Sequence, residues 1–207
     1  MAWLSALNLL IFMAVTAYAL YLFIRAVHAR ARFVMLGKKA PLDDIPGRTK
    51  QFIIHVFGQK KLLQDKKSGV MHIIFFYGFI VLQIGAVELI IRGLAPGFQW
   101  PLGAAYRYYA MSQEIAIVLV LIAAGYAFYR RYIEKLARLK RGWKAGIVLL
   151  FLSTLMLSEI LTLGFDRAMS GETADWAFAP LSSFVALIFS GTGQSAAAVW
   201  FYLFWWV

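Results

Sequence analysis

Long apolar runs separated by short polar segments dominate the chain. Four of these runs cover about 2–24, 70–91, 109–129 and 145–165. Each has the length, about 18 residues or more with few charges, that a helix needs to cross the core of a bilayer. The pattern therefore predicts four transmembrane helices.

A fifth apolar region runs from 177 to 207 and is interrupted by SGTGQS at 190–195. Either 180–190 forms a short external helix and the last span begins near Gln194, or the whole region is one broken span. From Gln194 to Val207 a helix would extend only about 21 Å, against a hydrocarbon core of about 30 Å. We therefore expect a bundle of about five helices whose last helix is truncated at Val207.

The basic residues between the spans predict the orientation. Residues 25–69 carry eleven Lys and Arg against three acids, and residues 130–144 carry seven against one. The loops at 92–108 and 166–176 carry three between them. The positive-inside rule places the first two loops, hereafter the basic side, in the cytoplasm and the N-terminus outside. The other face is called the opposite side.

Within the long loop 25–69, a segment at 48–64 mixes apolar and basic residues. This mixture is typical of an amphipathic helix that lies on the inner leaflet. A solvated basic loop is the alternative.

Composition agrees with one integral membrane domain over 1–207. The chain is 62% hydrophobic, with a mean hydropathy of +0.71, which excludes an ordinary soluble domain. The net charge of +11 lies between the spans, so it indicates a bilayer partner rather than nucleic acid. Zero cysteine excludes an iron–sulfur cluster within these residues. The expected location is the inner (plasma) membrane, as a multi-pass protein.

His72 is a polar residue at the start of the second span. At 100° per residue it shares a helix face with Phe76, Phe79 and Gln83. Imidazoles in membrane helices usually serve ions, protons or cofactors, and an aromatic face suits a flat porphyrin. We predict that His72 is an axial ligand of haem iron, with Gln83 on the haem face. The alternative is a histidine that caps the helix or reaches the interface.

The second haem ligand is not found inside any predicted span. His28 follows the inner end of the first span and His55 lies in the loop segment, so both are expected at the interface. The fifth span approaches the depth of His72 only near its end. The partner histidine is therefore expected beyond Val207.

Two further patterns involve the second span. Gly78 and Gly85, seven residues apart, form a stripe where another helix can approach closely. Glu88, Glu114 and Glu159 place three carboxyl groups at a similar depth near the opposite side. Buried carboxyls must be paired, protonated or hydrogen-bonded. They predict either a quinone or proton site or a purely structural cluster. The candidate partners are Arg92, Arg107, Tyr108, Tyr109 and Gln113.

The stretch VFGQKKLLQDKKSGVMHIIFFYGF, which includes Asp65 and SGVMH ending at His72, resembles the membrane domain of the nitrate reductase gamma subunit-like family. It is most similar to the form at the N-terminus of heterodisulfide reductase-related iron–sulfur proteins. The resemblance covers nearly the whole chain. It implies a b-type cytochrome that links a membrane quinone pool to a cytoplasmic iron–sulfur domain or subunit. It also implies one haem b rather than two, because this chain has no histidine near the opposite side.

The sequence therefore favours the membrane part of a quinone-linked oxidoreductase over a stand-alone enzyme. The alternative is a haem-free membrane anchor or assembly module for such a complex. A proton-coupled transporter fits less well, since transporters usually carry charges at the midplane and repeated halves, and neither is seen here.

Overall fold

The structure is a computed structural model that describes residues 2–38, 43–95, 98, 100–136, 139, 142–171, 174–192 and 194–205. Val207, at which the sequence predicts truncation, lies outside the described residues. The contacts divide the chain into two compact units. The first unit comprises residues 1–60 and 87–99, and the second comprises residues 61–86 and 100–207.

All regular structure in the described residues is helical. The α-helices are α1 Ala2–Met35, α2 Ile45–Phe52, α3 Lys66–Leu94, α4 Tyr106–Phe128, α5 Trp143–Ser170, α6 Pro180–Phe189 and α7 Gln194–Trp205. Within the described residues, four segments are long and apolar enough to cross a membrane: Leu9–Met35, Lys66–Leu94, Gly103–Ile133 and Trp143–Ser170. The prediction of an all-α membrane protein is confirmed.

The helices extend well beyond the predicted spans. α3 has 29 residues, so it is about 43 Å long at 1.5 Å per residue, longer than the hydrocarbon core. Both α2 and α4 continue into a π-helical turn, at Ile53–Phe57 and Tyr129–Ile133 respectively. In each turn the backbone hydrogen bond spans five residues, as from the Glu134 amide to the Tyr129 carbonyl at 2.9 Å.

The second unit packs around the middle of α4. Its main core combines α3, α4 and α5 through buried apolar side chains, with partly buried neighbours around them. The buried members are Leu82, Ala116, Ile117, Val120 and Met156. α4 is therefore the central helix of this unit.

The glycine stripe of α3 faces α4, as predicted. A Cβ at Gly78 would lie 2.7 Å from Val120 Cγ2, and one at Gly85 would meet the Gln113 amide and, at 3.1 Å, the Tyr109 hydroxyl. The Tyr109 hydroxyl also donates a hydrogen bond of 3.4 Å to the Val81 carbonyl. The missing side chains let the two helix backbones approach closely.

This close approach gives a stability prediction. Gly78→Ala is expected to lower the free energy of unfolding by about 1–3 kcal/mol, because the new methyl overlaps the fully buried Val120. Unfolding in mixed detergent–lipid micelles measures the change. Gly125→Ala on α4 is the matched control, since a Cβ there meets nothing within 4 Å and is expected to be neutral or stabilising. Equal stability of the two variants would contradict the packing.

The region 177–205 forms two helices rather than one. α6 and α7 are joined by a short turn at Ser190–Thr192, and both pack on the last turns of α5. A Cβ at Gly164 would collide with Val185 of α6, and the Phe165 ring contacts Phe189 at 4.8 Å between ring centres. Ala197 of α7 lies in the same cluster.

In the first unit, α1 meets the end of α3. A Cβ at Gly93 would lie 2.6 Å from the Phe12 ring. The apolar part of α1, Leu9–Met35, contains no buried residue among those described. Such a surface matches contact with lipid.

Candidate functional site

His72 lies on the open face of α3, a name that we give to the face formed by His72, Phe76, Phe79 and Gln83. His72, Phe79 and Gln83 are exposed and Phe76 is half-buried, whereas the glycine stripe on the other face is buried against α4. The packing of α3 on α4 therefore turns the predicted haem face away from the core of the second unit.

Contact of the His72 ring with lipid acyl chains would be energetically unfavourable. His72 lies about 9 Å along the helix axis from Lys66, the first residue of α3. A polar ring that leaves water without a new partner costs free energy. Among the described residues, no hydrogen bond or ion pair engages the His72 ring. The ring is therefore available to a ligand, or to water at the interface as in the alternative above.

The residues of the open face fit one axial side of a haem. A neutral imidazole nitrogen is the usual ligand of haem iron in such bundles. Phe76 and Phe79 provide apolar aromatic surface beside it, which suits a flat macrocycle. The second axial side has no donor in the same group of residues. The described residues contain no cluster of three His, Asp or Glu side chains that would hold a metal by itself.

The other two histidines show a different environment. His28 is exposed on the part of α1 that extends past the predicted span. His55 is exposed in the π-helical turn, where its Nε2 pairs with Gln51 Oε1 at 3.0 Å. Both rings are exposed, and their placement at the interface stays a prediction.

A buried arginine contacts Ser68, the residue one helical turn before His72. Ser68, four residues before His72, accepts a hydrogen bond of 2.8 Å from Arg130 Nη1 and donates one of 2.8 Å to Asp65 Oδ2. Arg130 is only 5% exposed, and its guanidinium lies 5.7 Å from the Tyr126 ring centre. Arg130 also forms an ion pair of 3.9 Å with Glu134. The network joins the start of α3 to the π-helical turn that follows α4.

The three carboxyls that the sequence predicts near the opposite side have different environments. Glu88 is buried and forms an ion pair of 2.8 Å with Arg92, one of its predicted partners. Glu159 is half-buried on α5. Arg107, another predicted partner of the glutamates, instead pairs with Asp175 at 3.4 Å. Its guanidinium also lies 4.3 Å from the Phe178 ring centre.

Glu114 caps the N-terminus of α6. Its two carboxylate oxygens accept hydrogen bonds from the backbone amides of Leu181, at 2.7 Å, and Ser182, at 2.9 Å. Pro180 has no amide hydrogen, and the Ser183 amide donates to the Ala179 carbonyl at 3.1 Å. All the donors of this first turn are thus satisfied, and the helix dipole complements the negative carboxylate.

A known protein resembles this chain along nearly its whole length. The chain is similar to a protein of Bacillus subtilis (strain 168) named "Probable iron-sulfur-binding oxidoreductase FadF". The two are 49% identical over 201 residues. The match covers 97% of this chain but only 28% of the relative's length. No protein-family model and no solved structure matches the chain.

Two features of this region were not predicted from the sequence. The first is the role of Arg130. Two features of the sequence could have indicated it: an Arg pair directly after an apolar span, and Asp65 and Ser68 at the spacing of a helix cap. The second is the pairing of Glu114 with α6. Pro180 marks a helix start, but nothing local in the sequence identifies a cap supplied 67 residues earlier.

Proposed function

We propose that the chain is the membrane module of an oxidoreductase. In this proposal it holds one haem b through His72 and passes electrons between a membrane quinone and an iron–sulfur domain or subunit on the basic side. The observation that carries the proposal is the imidazole on the open face of α3, flanked by aromatic side chains. The similarity to a protein named as an iron–sulfur-binding oxidoreductase supports the partner. This chain has no cysteine to bind a cluster of its own.

Different residues of the chain would bind the haem, shield it and adjust its redox balance. When bound, the haem supplies a centre that accepts and releases one electron at a time. His72 would bind the iron from one side, and Phe76 and Phe79 would exclude water from the ring. A second imidazole for the iron would come from outside the described residues. The positive charge of Arg130 would favour the reduced state of a haem bound beside it, because it attracts the added electron, and the ion pair with Glu134 would lessen this effect.

A quinone site on the opposite side would use the carboxyl groups there. Glu114 is committed to the first turn of α6, so a proton role for it would require breaking two backbone hydrogen bonds. Glu159, half-buried on α5, stays a predicted quinone or proton residue in the second unit. Glu88 stays a predicted site residue, and its ion pair with Arg92 supports a structural role as well.

The test uses the full-length gene product in lipid nanodiscs. We expect a reversible change of the Soret and α bands between the air-oxidised and dithionite-reduced protein, and the same change when a quinol replaces dithionite. A preparation that contains no haem, even with its iron–sulfur part present, would overturn the proposal. A haem that dithionite reduces but quinol does not would overturn the quinone link alone.

A haem-free anchor or assembly module is the second candidate function. The observation that favours it is that three charged residues inside the spans already have structural partners. Glu114 binds α6, Glu88 binds Arg92, and Arg130 binds Ser68. In an anchor, the open face of α3 would be covered by a helix of the partner. The absence of haem in the experiment above would select this function.

A further inference from the structure

The loop between α1 and α3 contains a helix whose apolar side chains are exposed. Residues 45–60, hereafter the basic-side segment, form α2, the π-helical turn Ile53–Phe57 and a sharp bend at Gly58. The bend leaves no room for a side chain at Gly58, since a Cβ there would lie 2.6 Å from the Ile54 carbonyl oxygen.

The basic-side segment separates apolar from polar residues. Ile45, Phe52 and Val56 follow one face at spacings of seven and four residues, and they are 61%, 55% and 37% exposed. Gln51 and His55 share a separate face, as their hydrogen bond of 3.0 Å shows. No residue of α2 or of the π-helical turn is buried. The apolar face is therefore open in the described chain.

The segment has its own start signal but is too short to be stable alone. Asp44 accepts a hydrogen bond of 3.1 Å from the Gly47 amide and caps the N-terminus, with Pro46 in the first turn. Thirteen residues, from Ile45 to Phe57, are at the lower limit for an isolated helix in water. A helix of this length needs an apolar surface on which to pack.

The tethering of the segment selects a membrane as that surface. It is joined through short connections to α1 and α3, both long and apolar enough to span a bilayer. Because the segment is connected to two spans, its effective concentration at the lipid surface is high. A separate protein would need a high affinity to compete with the lipid for the same apolar face.

The charge of the segment selects the lipid class. Arg48, Lys50 and Lys60 lie within it, and no acidic residue does. Lys61, Lys66 and Lys67 follow in the chain, with Asp65 as the single acid. Basic residues beside exposed aromatic and aliphatic side chains suit the phosphates of anionic lipids.

We propose that the basic-side segment lies on the bilayer surface and binds anionic lipid headgroups. Ile45, Phe52 and Val56 enter the boundary between headgroups and acyl chains. Arg48, Lys50 and Lys60 contact lipid phosphates. Lipid binding by this segment does not require haem. The lipid proposal can therefore be wrong while the proposed function holds, and the proposed function can be wrong while the lipid proposal holds.

The absence of cysteine makes a direct test simple, because a single introduced cysteine takes the only spin label. Val56→Cys reports the apolar face and Gln51→Cys is the matched control on the polar face. The labelled chain is placed in nanodiscs of phosphatidylglycerol or of phosphatidylcholine, and label depth is measured from collisions with oxygen and with a water-soluble nickel chelate. In phosphatidylglycerol we expect the Val56 label about 5–10 Å below the phosphates and the Gln51 label at or above them.

Charge removal completes the test. In a variant with Arg48→Gln, Lys50→Gln and Lys60→Gln, the Val56 label should move to its depth in phosphatidylcholine. Two labels equally open to the nickel chelate in phosphatidylglycerol would overturn the proposal. A label depth that ignores the three substitutions would overturn the anionic-lipid assignment. Protection of Val56 only when the unlabelled, separately prepared remainder of the gene product is added would assign the surface to a protein partner instead.

Discussion

His72→Ala is expected to remove the haem spectrum of the full-length protein. The imidazole is the only proposed iron ligand on the open face of α3, and alanine offers the iron no donor. Losing even a group that supports a metal ligand costs about 10–100-fold in affinity, so losing the ligand itself should cost at least as much. The measurement is haem per polypeptide in purified nanodiscs, from the reduced-minus-oxidised spectrum.

Two matched variants separate ligation from folding. His55→Ala removes an exposed histidine that pairs with Gln51 in the basic-side segment. It should leave the haem content unchanged. Phe79→Leu keeps an apolar side chain on the open face and should retain haem with a small spectral shift. A His72→Ala protein with the full wild-type spectrum would remove the main support for the proposed function.

Glu114→Ala is expected to cause a large loss of stability in the second unit. It leaves the amides of Leu181 and Ser182 without acceptors in a buried place, where water does not replace the carboxylate. Two hydrogen bonds to a charged acceptor are lost, so the free energy of unfolding should fall by about 2–5 kcal/mol. Unfolding in mixed micelles gives the total, and hydrogen exchange at Leu181 and Ser182 shows whether the first turn of α6 opens.

The controls for this prediction vary charge and position. Glu114→Gln keeps one acceptor oxygen and should fall between wild type and alanine. Asp43→Ala removes an exposed carboxylate whose ion pair with Arg48 is largely solvated, and it should change stability by less than about 0.5 kcal/mol. If Glu114→Ala unfolds like Asp43→Ala and the two amides exchange at wild-type rates, the capping contact does not hold α6.

The features that the sequence predicted correctly depend on local pattern. The four spans follow from the length of the apolar runs. The contact of Gly78 and Gly85 with α4 follows from their spacing along one helix. The ion pair between Glu88 and Arg92 joins residues four apart on one helix, where side chains meet directly.

The features that it missed join residues distant in the chain. Glu114 and Ser182 are 68 residues apart, and Arg130 and Ser68 are 62 apart. Each pair depends on how helices pack, and neither partner alone shows which polar group it will meet. The same limit applies to residues 177–205, where apolar composition does not distinguish one broken helix from α6 and α7. The haem and quinone sites stay predictions for a related reason. A ligand is not part of the amino-acid sequence, so the sequence pattern records it only through the residues that would bind it.

The central claim is that the His72 ring binds haem iron between helices of a membrane bundle. The most direct measurement is a cryo-electron microscopy structure of the full-length gene product in lipid nanodiscs, purified without added haem. We expect a flat, iron-containing density joined to the His72 ring on the open face of α3, with a second imidazole on its other side. A ring that faces lipid headgroups or water, with no metal beside it, would contradict this claim.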